Sequence, residues 1–281
     1  MAPWPAAADA IERGQYLFEL AGCKGCHTAE DGALLAGGRA LQTPFGVFYT
    51  PNITPDRATG IGGWSEGQFR QALRAGLSPE GEHYYPAFPY TSYTAMTDAD
   101  GADLWAYLRT VPAIHQVNPE HELPWPLQWR FLLVFWKWLF FDQGGLPVDS
   151  ERGDAFNRGA YIVRALGHCG ECHTPRNFLG AMDSGRELAG TAEGPEGGVV
   201  PNITPDPETG IGRWTAGDME SLLVMGMLPD ADFVGAGMGE VVDNSTAQLS
   251  DRDRDALIAF LRGITPVFNQ LSRKKESDGD Y

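Results

Sequence analysis

Two short stretches hold all four cysteines of this 281-residue chain. "GCKGCHT" carries Cys23, Cys26 and His27, and "HCGECHT" carries Cys169, Cys172 and His173. Four chemistries use thiols in such pairs. A disulfide within each pair leaves the following histidine unexplained. A thioredoxin-like redox site requires a βαβ setting, whereas the flanks here read as helix and loop. Zinc held by both pairs would draw together residues from distant parts of the chain and give neither histidine a task. Covalent haem uses every residue: each thiol adds across one vinyl group at the same porphyrin edge, and the next residue is turned beneath the ring, where imidazole reaches iron. Two C-x-x-C-H motifs therefore predict two covalently bound haem c groups, on Cys23 and Cys26 and on Cys169 and Cys172, with His27 and His173 as iron ligands.

The sixth ligand of such an iron is commonly methionine. Met238, in "GAGMGEVVDNSTAQLSD", sits in an expected loop ahead of the last helix, where a chain returning over the far haem face supplies sulfur. Met225 and Met227 read instead as core filler. For the first haem the equivalent position is Phe88, which cannot bind iron. Met96 and His83 are the nearby groups that can, and an open position is the third possibility. Methionine is the usual partner in this kind of carrier, which favours Met96.

That equivalence comes from an internal duplication, the first thing to seek along a chain. "TPNITPDRATGIGGW" (50–64) recurs as "VPNITPDPETGIGRW" (200–214), so that Pro201 answers Pro51 at an offset of 150 residues. Upstream, "RGQYLFELAGCKGCHT" answers "RGAYIVRALGHCGECHT"; downstream, "TDADGADLWAYLRTV" answers "SDRDRDALIAFLRGI". Each half has a helix, the Cys-His motif, a long loop and a closing helix that starts at Thr97 or Ser250 followed by acids. Gly14 and Gly159, inside helices, imply a close helix crossing, with Tyr107 and Phe260 as its occupants. No alternating run of strand length is visible. The expected architecture is all-α: an N-terminal domain (1–112), an aromatic linker (113–149), a C-terminal domain (150–266) and a polar tail (267–281). Trp64 and Trp214 are expected to wall the haem pockets or donate an indole N–H to a haem carboxylate. Arg176 is a second propionate partner, and Asn52 and Asn202 are expected to hold the turns before Pro55 and Pro205.

Composition sets the outer limits. A formal charge of −16 argues against nucleic-acid binding, which requires a positive surface. No run approaches the roughly 18 apolar residues of a membrane span; "FLLVFWKWLFF" (131–141) is short and interrupted by Lys137. That segment reads as packing across the domain interface, or as a docking surface. The start, "MAPWPAAADA", resembles a mature sequence from which a signal peptide has been removed.

The chain resembles the multi-haem cytochrome c subunits of membrane-bound bacterial alcohol, gluconate and aldehyde dehydrogenases. The motifs that carry this are "TPNITPD…TGIG.W", "YYPAFPYTSYT", "RGAYIVRALGHCGECHTPRN", the run of 238–249 and the "LPWPLQWR…WKWLFF" linker. The resemblance implies two class I cytochrome c domains in tandem and a periplasmic electron carrier, soluble or peripherally associated. It further implies redox partner proteins: an electron-donating dehydrogenase and a downstream cytochrome or oxidase. It places Cys23, Cys26 and His27 at one haem and Cys169, Cys172, His173 and Met238 at the other. Two departures stand out. Those subunits carry three haems and a membrane anchor, and they have methionine where this chain has Phe88. The rival expectation is a dihaem enzyme of the peroxidase or thiosulfate-oxidising type, with an open or displaceable position at the first haem.

Overall fold

The structure, a computed structural model, describes residues 9–194 and 198–271. The start up to residue 8, read above as that of a mature sequence, and the tail from 272 onward lie outside the described residues.

The first half opens with helix α1 (Ala10–Leu20), capped by the Asp9 carboxylate on the Glu12 amide. A short helix, α2 (Cys23–His27), holds the first Cys-His motif. An antiparallel hairpin follows, β1 (Ala40–Thr43) and β2 (Gly46–Tyr49). This hairpin is a correction to the strand-free expectation: strands of four residues are too short for alternation to stand out. Then come α3 (Glu66–Ala75), the single turn α4 (Tyr90–Tyr93) and α5 (Asp98–Leu108). The connecting segment carries α6 (Leu132–Phe140). The second half repeats the order: α7 (Asp154–Tyr161), running into a π-helical turn at Ile162–Leu166, α8 (Gly170–His173), α9 (Ala216–Met225), α10 (Ala236–Asn244) and α11 (Asp251–Gly263).

Within each half the first helix crosses the last, and glycine makes the approach possible. A Cβ on Gly14 would collide with the Asp103 carbonyl and stand 2.7 Å from Tyr107 Cβ; one on Gly159 would collide with the Ala256 carbonyl and stand 2.6 Å from Phe260 Cβ. The expected crossing partners are thus the observed ones. Leu17, Leu20, Leu104 and Leu108 line the first crossing and Tyr161, Leu257, Phe260 and Leu261 the second, all nearly fully buried. The capping signals at Thr97 and Ser250 also hold: each hydroxyl accepts from the backbone N–H of the third helical residue, Asp100 or Asp253.

Two tyrosines latch the halves to each other. Tyr161 Oη donates to Asp100 and accepts from the Thr97 amide at 3.0 Å. Tyr16 Oη donates to Asp253 at 2.9 Å and accepts from the Ser250 amide at 3.1 Å. Each tyrosine thus ties its helix to the N-terminus of the other half's closing helix. Tyr161 and Asp100 are both buried, so Tyr161→Phe would leave a carboxylate and an amide without their partner, at a cost of about 1–3 kcal/mol. Thermal unfolding should show a clear loss for this variant and a smaller one for Tyr16→Phe, whose tyrosine is only half-buried.

The connecting segment packs mainly on the first half. Val47 pairs with Glu122, Asn118 donates to the Ala36 carbonyl, and Lys137 Nζ caps α3 by donating to the Ala75 and Gly76 carbonyls at 2.7 and 2.8 Å. Only Leu133 and Lys137 of α6 are buried; Trp125, Phe131, Phe135, Trp138 and Leu139 face outward. The segment therefore does not spend its aromatic residues on an interface between the halves. Of its aromatic residues, Trp136 reaches across, donating to the Leu179 carbonyl at 2.9 Å.

Candidate haem-binding motifs

Each Cys-His motif forms one helical turn launched from the end of the first helix of its half. The launch needs a left-handed residue. Gly22 supplies it in the first half (φ 60°), and His168 occupies the same place in the second (φ 38°). A non-glycine there is strained. The His168 ring is held by an Nε2···O contact of 3.3 Å with the carbonyl of Ala21, which also accepts from Tyr93 Oη at 3.1 Å. The backbones leading into the two motifs are thus linked through one carbonyl.

The histidines that close the motifs are fixed alike. His27 Nδ1 meets the Pro51 carbonyl at 2.9 Å, and His173 Nδ1 meets the Pro201 carbonyl at 2.8 Å. Committing Nδ1 as a donor sets the tautomer and leaves the Nε2 lone pair for a metal. Burial lowers the pKa of both imidazoles, against a smaller opposing effect of the proline carbonyl. Both rings are therefore neutral, the form a metal binds.

The carbonyls are held by the duplicated loop. Asn202 Oδ1 accepts from Thr204 N and Oγ1 at 2.9 and 2.7 Å, and its Nδ2 donates to Thr209 Oγ1 at 3.0 Å and the Val267 carbonyl at 2.7 Å. Asn52 makes the same four bonds with Thr54, Thr59 and the Ile114 carbonyl. These asparagines do more than hold a turn: they pin the proline loop to the chain that leaves the closing helix. Asn202→Ala should cost about 2–4 kcal/mol, because its buried partners lose their bonds together. Calorimetry should show that loss. Haem spectra of the same variant should show weakened proximal ligation at one haem only.

Thr28 and Thr174, directly after the histidines, were not singled out by spacing. Their hydroxyls accept from the Leu35 and Leu188 amides at 3.2 and 3.0 Å, and both leucines are fully buried at positive φ. The repeated "CHT" was the available signal.

The thiols are unbridged. Burial pushes Cys23 and Cys169 up to about 12, and it raises Cys26 as well. Thiols used for redox or nucleophilic work have lowered pKa values, so these three fit neither role. Among the described residues, no three His, Cys, Asp or Glu side chains converge as a metal-ion site, as two pooled pairs would for zinc. What does fit is an edge-on attachment: two thiols on one turn, with a neutral imidazole behind them whose free nitrogen is Nε2.

The segments that follow α3 and α9 each pack on the opposite motif. Helix α10 begins two residues before Met238, a correction to the loop expected there; Met238 lies half-buried in its first turn. Glu240, farther along α10, is held by Arg39, with Nη2 to Oε2 at 2.8 Å; Arg39 also donates to the Gly25 carbonyl between the first pair of cysteines. In the mirror contact, Thr91 and Ser92 of α4 donate to Glu171, between the second pair, at 2.6 and 2.8 Å. Arg176, expected near a propionate, is engaged with the Glu171 carboxylate and the Gly180 carbonyl. Trp64 and Trp214 pack against the core. Arg39, Glu240 and Glu171 are functional candidates that the sequence did not isolate, since their partners lie in the other half.

The structure separates the two proposed ligands of the first haem. Met96 is 2% exposed. It lines a cavity of about 260 Å³ with Ala95, Leu146, Ala160 and Tyr161, where α5 meets α7. His83 pairs with Leu77 beside the end of α3, its pKa lowered by burial and by Lys137.

A fold of crossing terminal helices, with a C-x-x-C-H turn and a proline-carbonyl-bound histidine, is that of a c-type cytochrome. The cytochrome c family model matches residues 11–112. The chain is 44% identical to a dihaem c-type cytochrome of Cereibacter sphaeroides, over 91% of its own length and 86% of the relative's. It is 41% identical to the cytochrome subunit of fructose dehydrogenase from Gluconobacter japonicus and 36% identical to that of gluconate 2-dehydrogenase from Pantoea cypripedii. It spans 54% and 59% of those two subunits. The chain belongs to the dihaem c-type cytochromes, electron-transport proteins whose cofactor is covalently bound haem c, two groups per chain.

Proposed function

We propose that the chain is an electron carrier of the bacterial periplasm, taking electrons from a sugar- or alcohol-oxidising dehydrogenase and passing them to a downstream cytochrome or oxidase. Among the described residues no helix is long and apolar enough to cross a membrane. Residues 1–112 form one haem domain, with Cys23, Cys26 and His27, and residues 150–266 the other, with Cys169, Cys172, His173 and Met238. Residues 113–149 join them.

The observation that carries this reading is the doubled Nδ1–proline carbonyl bond. It orients two imidazoles identically, each behind a pair of thiols. Haem c, when bound, supplies a one-electron iron couple. The protein's part is to hold the iron's ligands still, so that little reorganises when the charge changes. The asparagine-locked loops do this on the histidine side, and the Arg39–Glu240 clamp does it for the helix that bears Met238. The crossed packing of α10 on α2 and α4 on α8 brings the two motifs together, which favours transfer between them.

The test is anaerobic mixing of the purified protein with a fructose- or gluconate-oxidising membrane dehydrogenase and its substrate. Both haems should be reduced within the turnover time of the dehydrogenase. Reduction by dithionite but by none of these enzymes would contradict the proposed donor class.

A further inference from the structure

We infer that Phe88 stands where the first haem would take its sixth ligand, and that it leaves this position to a small neutral molecule of the carbon monoxide or nitric oxide type. The inference rests on the haem assignment above and extends it.

The structure makes the register between the halves tight on both sides of Phe88. Helices α3 and α9 are equivalent, ending at left-handed Gly76 and Gly226. The following bonds repeat at the same offset: Ser78 N to the Glu82 carbonyl and Leu228 N to that of Asp232, then Tyr84 N to Gly76 and Val234 N to Gly226. The registers are thus matched up to Tyr84 and Val234. They match again at Met96 and Leu249, both buried directly before the caps Thr97 and Ser250. The second half has three more residues in between, and Met238 follows Val234 by four. Its counterpart must therefore fall within Tyr85, Pro86, Ala87 and Phe88. Of these only Tyr85 carries a group that binds iron, and its hydroxyl donates to the Leu127 carbonyl at 2.7 Å.

Phe88 fills the space with carbon. Its ring meets those of Tyr84, Tyr90 and Tyr93 at 5.8, 6.4 and 5.9 Å. Tyr93 in turn bonds Ala21, two residues before Cys23. Met96 occupies the place of Leu249, an apolar packing position, against the cavity beside α7. The buried polar atoms without a partner among the described residues are Tyr90 Oη and His83 Nδ1, both in the 83–90 segment. Tyr90, whose ring meets that of Phe88, therefore keeps an unspent hydroxyl. Distal polarity, donors and steric access decide whether an iron centre binds a gas, and surroundings made of aromatic rings suit a neutral diatomic better than an anion.

The experiment is a carbon monoxide titration of the dithionite-reduced protein, with EPR of the oxidised protein alongside. One CO per two haems and one high-spin signal beside one low-spin signal are expected. Phe88→Met should then abolish at least nine-tenths of the CO uptake and double the 695 nm methionine–iron band. No CO uptake with two low-spin haems would overturn the inference, and so would CO uptake unchanged in Phe88→Met. Loss of the low-spin state at the first haem in Met96→Leu or His83→Gln would overturn it in favour of that residue. A pyridine haemochrome of two haems per chain in every variant keeps the haem assignment separate from this result.

Discussion

Replacing both Cys169 and Cys172 by serine should reduce the haem content from two per chain to one. The argument is chemical. The two thiols lie on one helical turn and are unbridged, with His173 held behind them by Pro201. Serine keeps the size of the side chain and cannot form a thioether. The first motif keeps its own turn, its own proline carbonyl and its own crossing helices, so it should still be loaded. The expected result is a pyridine haemochrome of half the wild-type intensity and a 695 nm band lost with Met238's iron. Cys23→Ser with Cys26→Ser should give the same halving with the 695 nm band retained. Unchanged haem content in either double variant would remove the covalent assignment at that motif. Complete loss in both would show that the halves mature only together, a result the Tyr16 and Tyr161 latches allow and the single latch variants would then expose.

Gly159→Ala should destabilise the second half far more than an ordinary helical substitution. In an exposed helix this change gains about 1 kcal/mol. Here the added methyl would collide with the Ala256 carbonyl and press on Phe260, which is fully buried. Neither backbone nor a packed ring can yield cheaply, and overpacking of this kind costs about 1–3 kcal/mol or more. The helices must move apart, and the Arg158–Asp253 pair at 2.6 Å moves with them. Packing wins over propensity. For a chain of this size the melting temperature should fall by roughly 2–12 °C, with Gly14→Ala close behind. A rise in melting temperature would mean that the crossing is looser than described.

Much of this was legible from the chain. Glycines inside two helices, each answered by an aromatic residue in the closing helix, gave the crossings. Thr97 and Ser250 gave the helix starts. The duplication gave the equivalence of positions. What stayed hidden was whatever depends on the second half of the chain meeting the first. Tyr16 with Asp253, Arg39 with Glu240 and Thr91 with Glu171 are ordinary polar residues until the halves are put together, and local periodicity carries no information about such pairs. The asparagines were underrated for a related reason: "PNITPD" reads as a turn, and the bonds to Ile114 and Val267 join it to residues some 60 positions away. The α6 segment went the other way. Its apolar character suggested burial, and most of its large side chains are outside.

The measurement that bears most directly on electron transfer by two unlike haems is a spectroelectrochemical redox titration followed at the reduced α band. Two one-electron waves of equal amplitude and different midpoint are predicted, the higher belonging to the haem with Met238, because sulfur ligation raises the potential. Two coincident midpoints would contradict unlike ligation and the direction it gives to transfer, and a single wave of half the expected haem would contradict the dihaem assignment itself.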